Sequence, residues 1–171
     1  MSNQLSKWKR TRITQDVMKD FFYMYDCKPS QVEFSEGTIK MVELSEVIPE
    51  NQDWAETIWR YNGLIKRIEG PRDEYKDSAW WKHEQNNEVK DIQKRFTRFE
   101  NLYYGIKKNG FKPKKINNVI LLNIRDLKRK TLPKGGRISY KYYRINAMKR
   151  ILICNFLNIR QIPAKVYGVS L

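Results

Sequence analysis

Apolar positions along this chain recur with two periods, one helical and one extended, and the changes between them divide it into elements. Residues 14–25, TQDVMKDFFYMY, set Val17, Phe21 and Tyr25 on one helical face behind Thr14, a capping residue type. Residues 37–47 alternate and are rich in branched side chains, which predicts a strand near 38–44. Trp54, Ile58, Tyr61, Ile65 and Ile68 repeat at helical spacing over 50–69, with Gly63 weakening the interior and Gly70-Pro71 ending the run. A second helical stretch near 72–84 contains Trp80 and Trp81, which as neighbours do not share a helical face. The expectation is that both anchor a thin helical layer packed onto a sheet, the alternative being that one faces outward or caps a groove.

The longest amphipathic pattern covers 87–111, where Val89, Ile92, Phe96, Phe99, Leu102, Tyr103 and Ile106 form a stripe and Gly110 suits a C-terminal cap. The apolar run 116–124 fits a buried strand, 125–136 a basic loop with a turn at Pro133 to Gly136, and 137–145 a second strand. A short helix over 147–159 and a closing strand over 161–169 complete the order helix, strand, strand, helix, strand. The pattern predicts an α+β fold with a small mixed sheet and packed helices. Residues 1–48 read as an N-terminal extension carrying a helix and a strand. Residues 49–171 read as the main domain, with a helical lead-in over 50–86.

Charge changes the picture. The chain has 34 Lys and Arg and 19 Asp and Glu; its first 100 residues hold 17 and 18 of these, leaving 17 cations against Asp126 alone in the last 71. The net charge of +15 is thus the sum of −1 and +16. Such one-sidedness points to a polyanion partner, nucleic acid or a nucleotide, without separating DNA from RNA. No apolar run has the length of a membrane span, and no signal peptide opens the chain, so no membrane partner is expected. Cys27 and Cys154 lack paired spacing and read as free thiols of a cytoplasmic protein; with His83 the one histidine, no metal site is expected.

The chemistry concentrates in YYRINAMKRILICNFLNIRQIPAKV, residues 142–166. Arg150 falls in the first turn of the helix expected there, where unpaired backbone N–H groups favour an anion, and Lys149 stands beside it. The guanidinium fork could grip two oxygens of a phosphate. Read with RFENLYYGIKKNGF upstream and LNIRQIPAKV downstream, this stretch resembles the ParB/sulfiredoxin-like fold, and within it the ParB N-terminal-like domains. The resemblance spans about residues 50–168 and rests on element order and a few anchors: Gly110 as the family glycine, YYRINAMKR as strand plus box, Ile162-Pro163 as the closing element. It implies a phosphate- or nucleotide-binding box at Asn146, Ala147, Met148, Lys149 and Arg150, and CTP or ATP as the nucleotide.

The box departs from the family pattern D-G-H-H-R. Asn146 stands for the aspartate, Ala147 for the glycine, and Met148 and Lys149 for the two histidines, so Arg150 alone remains. Asn146 offers no carboxylate base or metal ligand. The alanine methyl is unfavourable where the backbone needs positive φ. No reactive cysteine of the sulfiredoxin kind lies in the box, and Cys154 one turn on reads as a core thiol.

Three functions follow. The first is binding of nucleic acid or a nucleotide without catalysis. Lys128, Arg129, Lys130, Lys134, Arg137, Lys141 and Arg144 would contact phosphates, and at least one of Tyr140, Tyr142 and Tyr143 would face outward to stack bases. The second is a nucleotide-hydrolysing or nuclease enzyme of the ParB-like family, which needs a carboxylate such as Asp126, Glu84, Glu88 or Glu100. The third is a protein-interaction module of viral or mobile-element origin, with Trp80 and Trp81 as its anchor.

Overall fold

The computed structural model describes residues 18–48, 54–112, 119–124 and 141–171. In chain order these form α1 (Lys19–Tyr25), β1 (Glu33–Phe34), β2 (Thr38–Glu43), β3 (Val47–Ile48), α2 (Trp54–Ile68), α3 (Ala79–Asn86), α4 (Ile92–Asn109), β4 (Ile120–Asn123), β5 (Tyr142–Arg144), α5 (Met148–Phe156) and β6 (Gln161–Ser170). Short 3-10 turns cover Pro29–Gln31, Leu44–Glu46 and Glu74–Asp77. Architecturally the chain is a mixed α+β protein. It divides into two compact units: Met1–Gln52 with Pro113–Ala147 and Gln161–Leu171, and Asp53–Lys112 with Met148–Arg160.

The first unit is built on β6. Strand β4 lies parallel to it, from Ile120 opposite Lys165 to Asn123 opposite Gly168. On β6, β1 and β2 pair antiparallel one after the other. The register gains one residue between them, from Phe34 opposite Val169 to Thr38 opposite Val166, which makes a bulge. Ser35 anchors that bulge: its N–H donates to the Gly168 carbonyl (3.0 Å) and its hydroxyl accepts from the Gly168 N–H (2.8 Å). Strand β5 pairs antiparallel with β4 and parallel with β3, giving the order β1-β6-β4-β5-β3 with β2 also on β6.

Alternation sorts the side chains of this sheet. Ile120, Leu122, Tyr143 and Tyr167 join one buried cluster with Met18, Phe21 and Tyr25. The rings of Phe21 and Tyr143 meet edge to face at 5.3 Å. Helix α1 thus lays Phe21 and Tyr25, with Met18 just before its first turn, onto the sheet. Within 1–48, read in sequence as an extension, the described residues 18–48 supply three strands and a helix to this unit.

The second unit packs α2, α3, α4 and α5. Tyr61, Leu64, Ile65 and Ile68 of α2 are buried, as are Phe96, Phe99, Tyr103 and Ile106 of α4 and Ile151–Cys154 of α5. Tyr61 lies 5.2 Å from Phe99 and 6.3 Å from Trp80, ring to ring. Ser78 caps α3: its hydroxyl oxygen accepts from the Trp81 N–H (3.1 Å) and its O–H donates to the Tyr75 carbonyl (2.6 Å). Tyr75 stacks on Phe96 at 3.7 Å and 11°. Gly110 ends α4 at φ +72 with its N–H donating to Ile106, as the sequence predicts.

Two helical patterns are interrupted. The stretch expected over 72–84 breaks into a 3-10 turn and α3, with Asp73 left-handed at φ 66. The helix expected over 87–111 begins at Ile92, after Glu88 (φ 52) and Asp91 (φ 55). Apolar periodicity does not register single left-handed residues, and Val89 therefore falls outside α4.

Candidate functional site

Helix α5 begins with Met148, Lys149 and Arg150, each partly buried, and has no acid in its first turn. The apolar run Ile151–Cys154 that follows is buried, and α5 packs on both α4 and α2. That packing brings Lys149 into the charge field of Arg95 and Arg98 of α4 and Glu84 of α3. Burial, first, lowers the Lys149 pKa; Arg95 pushes it further down, Glu84 opposes, and Arg98 adds to the depression. Among the described residues the Lys149 ammonium has no hydrogen-bond or ion-pair partner.

Glu84 is committed elsewhere. Its Oε2 lies 2.5 Å from Arg95 Nη1, with the carboxylate side chain 9 % exposed. The buried Tyr61, which feels both charges of this pair, has a raised pKa, chiefly from burial, with Trp80, Arg95 and Arg60 opposing and Glu84 adding. The groups that shift Lys149 are thus two arginines, Arg95 and Arg98, and the carboxylate of Glu84. Chemically, such cations can bind an anion. Among the described residues no group of three His, Cys, Asp or Glu side chains is placed to hold a metal ion.

Asn146 and Ala147, expected in the box, end the first unit's middle segment. The Asn146 Oδ1 accepts from the Ile120 N–H at 2.8 Å, while the Ile145 N–H donates to the Ile120 carbonyl at 3.0 Å. The side-chain oxygen of Asn146 therefore extends the β4–β5 ladder. Ala147 adopts φ 65, the left-handed conformation that glycine accepts without strain.

Several expected phosphate and base contacts are placed otherwise. Tyr142 and Tyr143 are 5 % and 0 % exposed, so neither faces outward to stack a base. Arg144 is 3 % exposed and is not a surface cation. The reason is that β5 lies between β4 and β3 with side chains on both of its faces buried, whereas a strand with one wet face was expected. Lys141 is partly exposed but forms an ion pair with Glu46. Lys128, Arg129, Lys130, Lys134, Arg137, Tyr140 and Asp126 lie outside the described residues.

Of the tryptophan pair, Trp80 is 1 % exposed and Trp81 partly buried, so Trp80 is core and no surface anchor; Trp59, outside the pair, is 65 % exposed. Glu100 is partly buried and Glu88 exposed, and neither is among the groups that shift Lys149. Cys154 is fully buried, and burial pushes its thiol up to about 12, far from a reactive thiolate.

Sequence reasoning missed Arg95 and Arg98. They stand three apart on α4, bordering the stripe of Ile92, Phe96 and Phe99, so that spacing is the signal that could have marked them. Compared with protein-family models, curated proteins and solved structures, the chain matches none. Among the described residues no helix is long and apolar enough to cross a membrane.

Proposed function

We propose that this protein binds phosphate-bearing ligands, nucleic acid or a nucleotide, through Lys149, Arg150 and their cationic surroundings, and does not turn them over. One observation carries the reading: a half-buried ammonium without a partner, in the acid-free first turn of a helix, within a segment of net charge +16. Leaving such a charge uncompensated is costly in a partly dry site, and an incoming oxyanion relieves that cost. The absence of catalysis is supported by Glu84, the carboxylate in this charge field, being held by Arg95. The thiol of Cys154, too, is inert.

The ParB-like resemblance belongs to the same proposal. The order α4, β4, β5, α5, β6 supports it, and so does the left-handed backbone of Ala147 at the position of the box glycine. A nucleotide such as CTP or ATP is the small ligand this reading names.

The test is electrophoretic retardation of single- and double-stranded DNA and RNA at low salt, with thermal shift by CTP and ATP alongside. Binding is expected to weaken steeply as salt rises, and a ligand of the folded state must raise the melting temperature. No retardation of any nucleic acid together with no shift by either nucleotide rejects the proposal.

A further inference from the structure

The cations of α4 divide by what they face. Arg95 pairs with Glu84 of α3, and Lys107 pairs with Glu69 just past the end of α2. Lys94, Arg98 and Lys108 are exposed and make no ion pair among the described residues. Helical spacing puts these three on one face together with Asn101 and Gly105, opposite the buried stripe of Phe96, Phe99, Tyr103 and Ile106. Along the axis Lys94 and Arg98 stand about 6 Å apart, and Arg98 and Lys108 about 15 Å, at about 1.5 Å per residue. Glu100, the acid of this helix, falls off that face and is partly buried. The outward face of α2, by contrast, mixes Glu56 with Lys66.

We infer that the outward face of α4 binds a single nucleic-acid strand, with phosphates along Lys94, Arg98 and Lys108 and a base stacked on Tyr104 beside Gly105. The inference rests on the nucleic-acid part of the reading above and adds a surface to it that needs nothing from Lys149 or Arg150.

Gly105 separates this surface from a solvated basic helix. It stands inside an 18-residue helix, where glycine is less stable than alanine. Its φ is not positive, and a Cβ built on it would meet nothing within 4 Å. Neither backbone conformation nor packing within the chain therefore calls for glycine. What the missing side chain provides is close approach to the helix backbone from outside, in the middle of the cationic face. Next to it the Tyr104 ring is 43 % exposed, and the buried Tyr103 meets it edge to face at 5.3 Å. An exposed ring among cations is a platform for a base, and its sequence tolerance comes from the π-face that every base has. Stacking selects a single strand, whose bases can be splayed out, over a duplex whose bases are stacked on one another.

The experiment is fluorescence anisotropy of a labelled oligothymidine with the full chain across a salt series. The matching duplex and polyglutamate serve as comparison probes, and CTP and ATP are added in a parallel thermal-shift assay. The single strand is expected to bind most tightly. Lys94→Gln, Arg98→Gln and Lys108→Gln together should reduce the slope of log affinity against log salt by about 2, at about 0.7 per phosphate of a single strand. Tyr104→Ala should weaken binding about tenfold and leave that slope unchanged. Gly105→Ala should weaken binding while raising the melting temperature by about 2–4 °C, a combination that a structural role for this position would not produce.

Oligothymidine binding that none of these variants alters overturns the assignment to α4 and leaves the proposed function standing. Duplex or polyglutamate bound as tightly as the strand overturns the single strand as occupant. Parental affinity in Gly105→Ala overturns the close approach at that position. No binding of the strand, with a thermal shift by CTP or ATP, overturns this inference alone, and no response to any probe overturns both.

Discussion

Arg95 Nη1 stands 2.5 Å from Glu84 Oε2, so the pair occupies a carboxylate that lies in the charge field of Lys149. Glu84 is nearly buried while Arg95 is 38 % exposed, so solvent screens one side of the pair. Glu84→Gln should destabilise the protein by about 1–2 kcal/mol, less than for a fully buried pair. Urea unfolding measures it, and Glu84→Gln with Arg95→Gln together should recover part of the loss. A stability equal to that of the parent would show that the contact contributes nothing net.

Lys149 makes stability depend on pH. Its folded-state pKa is lowered from 10.5, so below that folded value the ammonium is charged in both states and its burial penalty is complete. Above 10.5 the amine is neutral in both states and the penalty is gone. Stability contributed by this group therefore rises with pH through the window below 10.5 and is lost as pH falls. Lys149→Met should stabilise the ligand-free protein at pH 7 and flatten that rise, as read by chemical denaturation across pH. A variant less stable than the parent at neutral pH would contradict the unfavourable burial of this charge.

Ala147 sits at φ 65, where an L side chain is strained by roughly 1 kcal/mol relative to glycine. Ala147→Gly should raise the melting temperature by about 2–4 °C, the shift that 1 kcal/mol gives at this chain length. Differential scanning calorimetry decides, and a lowered melting temperature would mean that the position does not need positive φ.

Trp80 and Trp59 should differ sharply. Trp80 is 1 % exposed between Tyr61 and Trp81, so Trp80→Ala is expected to cost about 3–5 kcal/mol. At 65 % exposure, Trp59→Ala should stay within about 0.5 kcal/mol. Denaturant midpoints rank the two, and the reverse ranking would refute the packing of α2 against α3.

The thiol of Cys154 is fully buried and pushed up to about 12, while Cys27 is half-buried. Alkylation in the native state followed by peptide mass spectrometry should leave Cys154 unmodified until the chain is unfolded. Rapid labelling of Cys154 in the folded protein would place it outside the core.

Period and punctuation in the sequence were enough for the order of the longer elements from residue 54 on, because burial of one face leaves its mark every two or every 3.6 residues; the two-residue strands Glu33–Phe34 and Val47–Ile48 are too short to show a period. The stripe of Phe96, Phe99, Tyr103 and Ile106, the cap at Gly110 and the closing strand through Ile162-Pro163 are all legible that way. The same holds for the concentration of charge in the last 71 residues. Tertiary structure alone decided where strands from 1–48 would pair, since pairing joins residues such as Val42 and Ile162 that no local pattern links. It also decided which polar residues are buried. The strand Tyr142–Arg144 reads as half-exposed in sequence and becomes an inner strand with both faces buried, which removes its tyrosines and arginine from the surface. The electrostatic influence of Arg95, Arg98 and Glu84 on Lys149 follows from α5 packing on α4, helices some forty residues apart in the chain, and charge proximity of that kind has no periodic trace in the sequence.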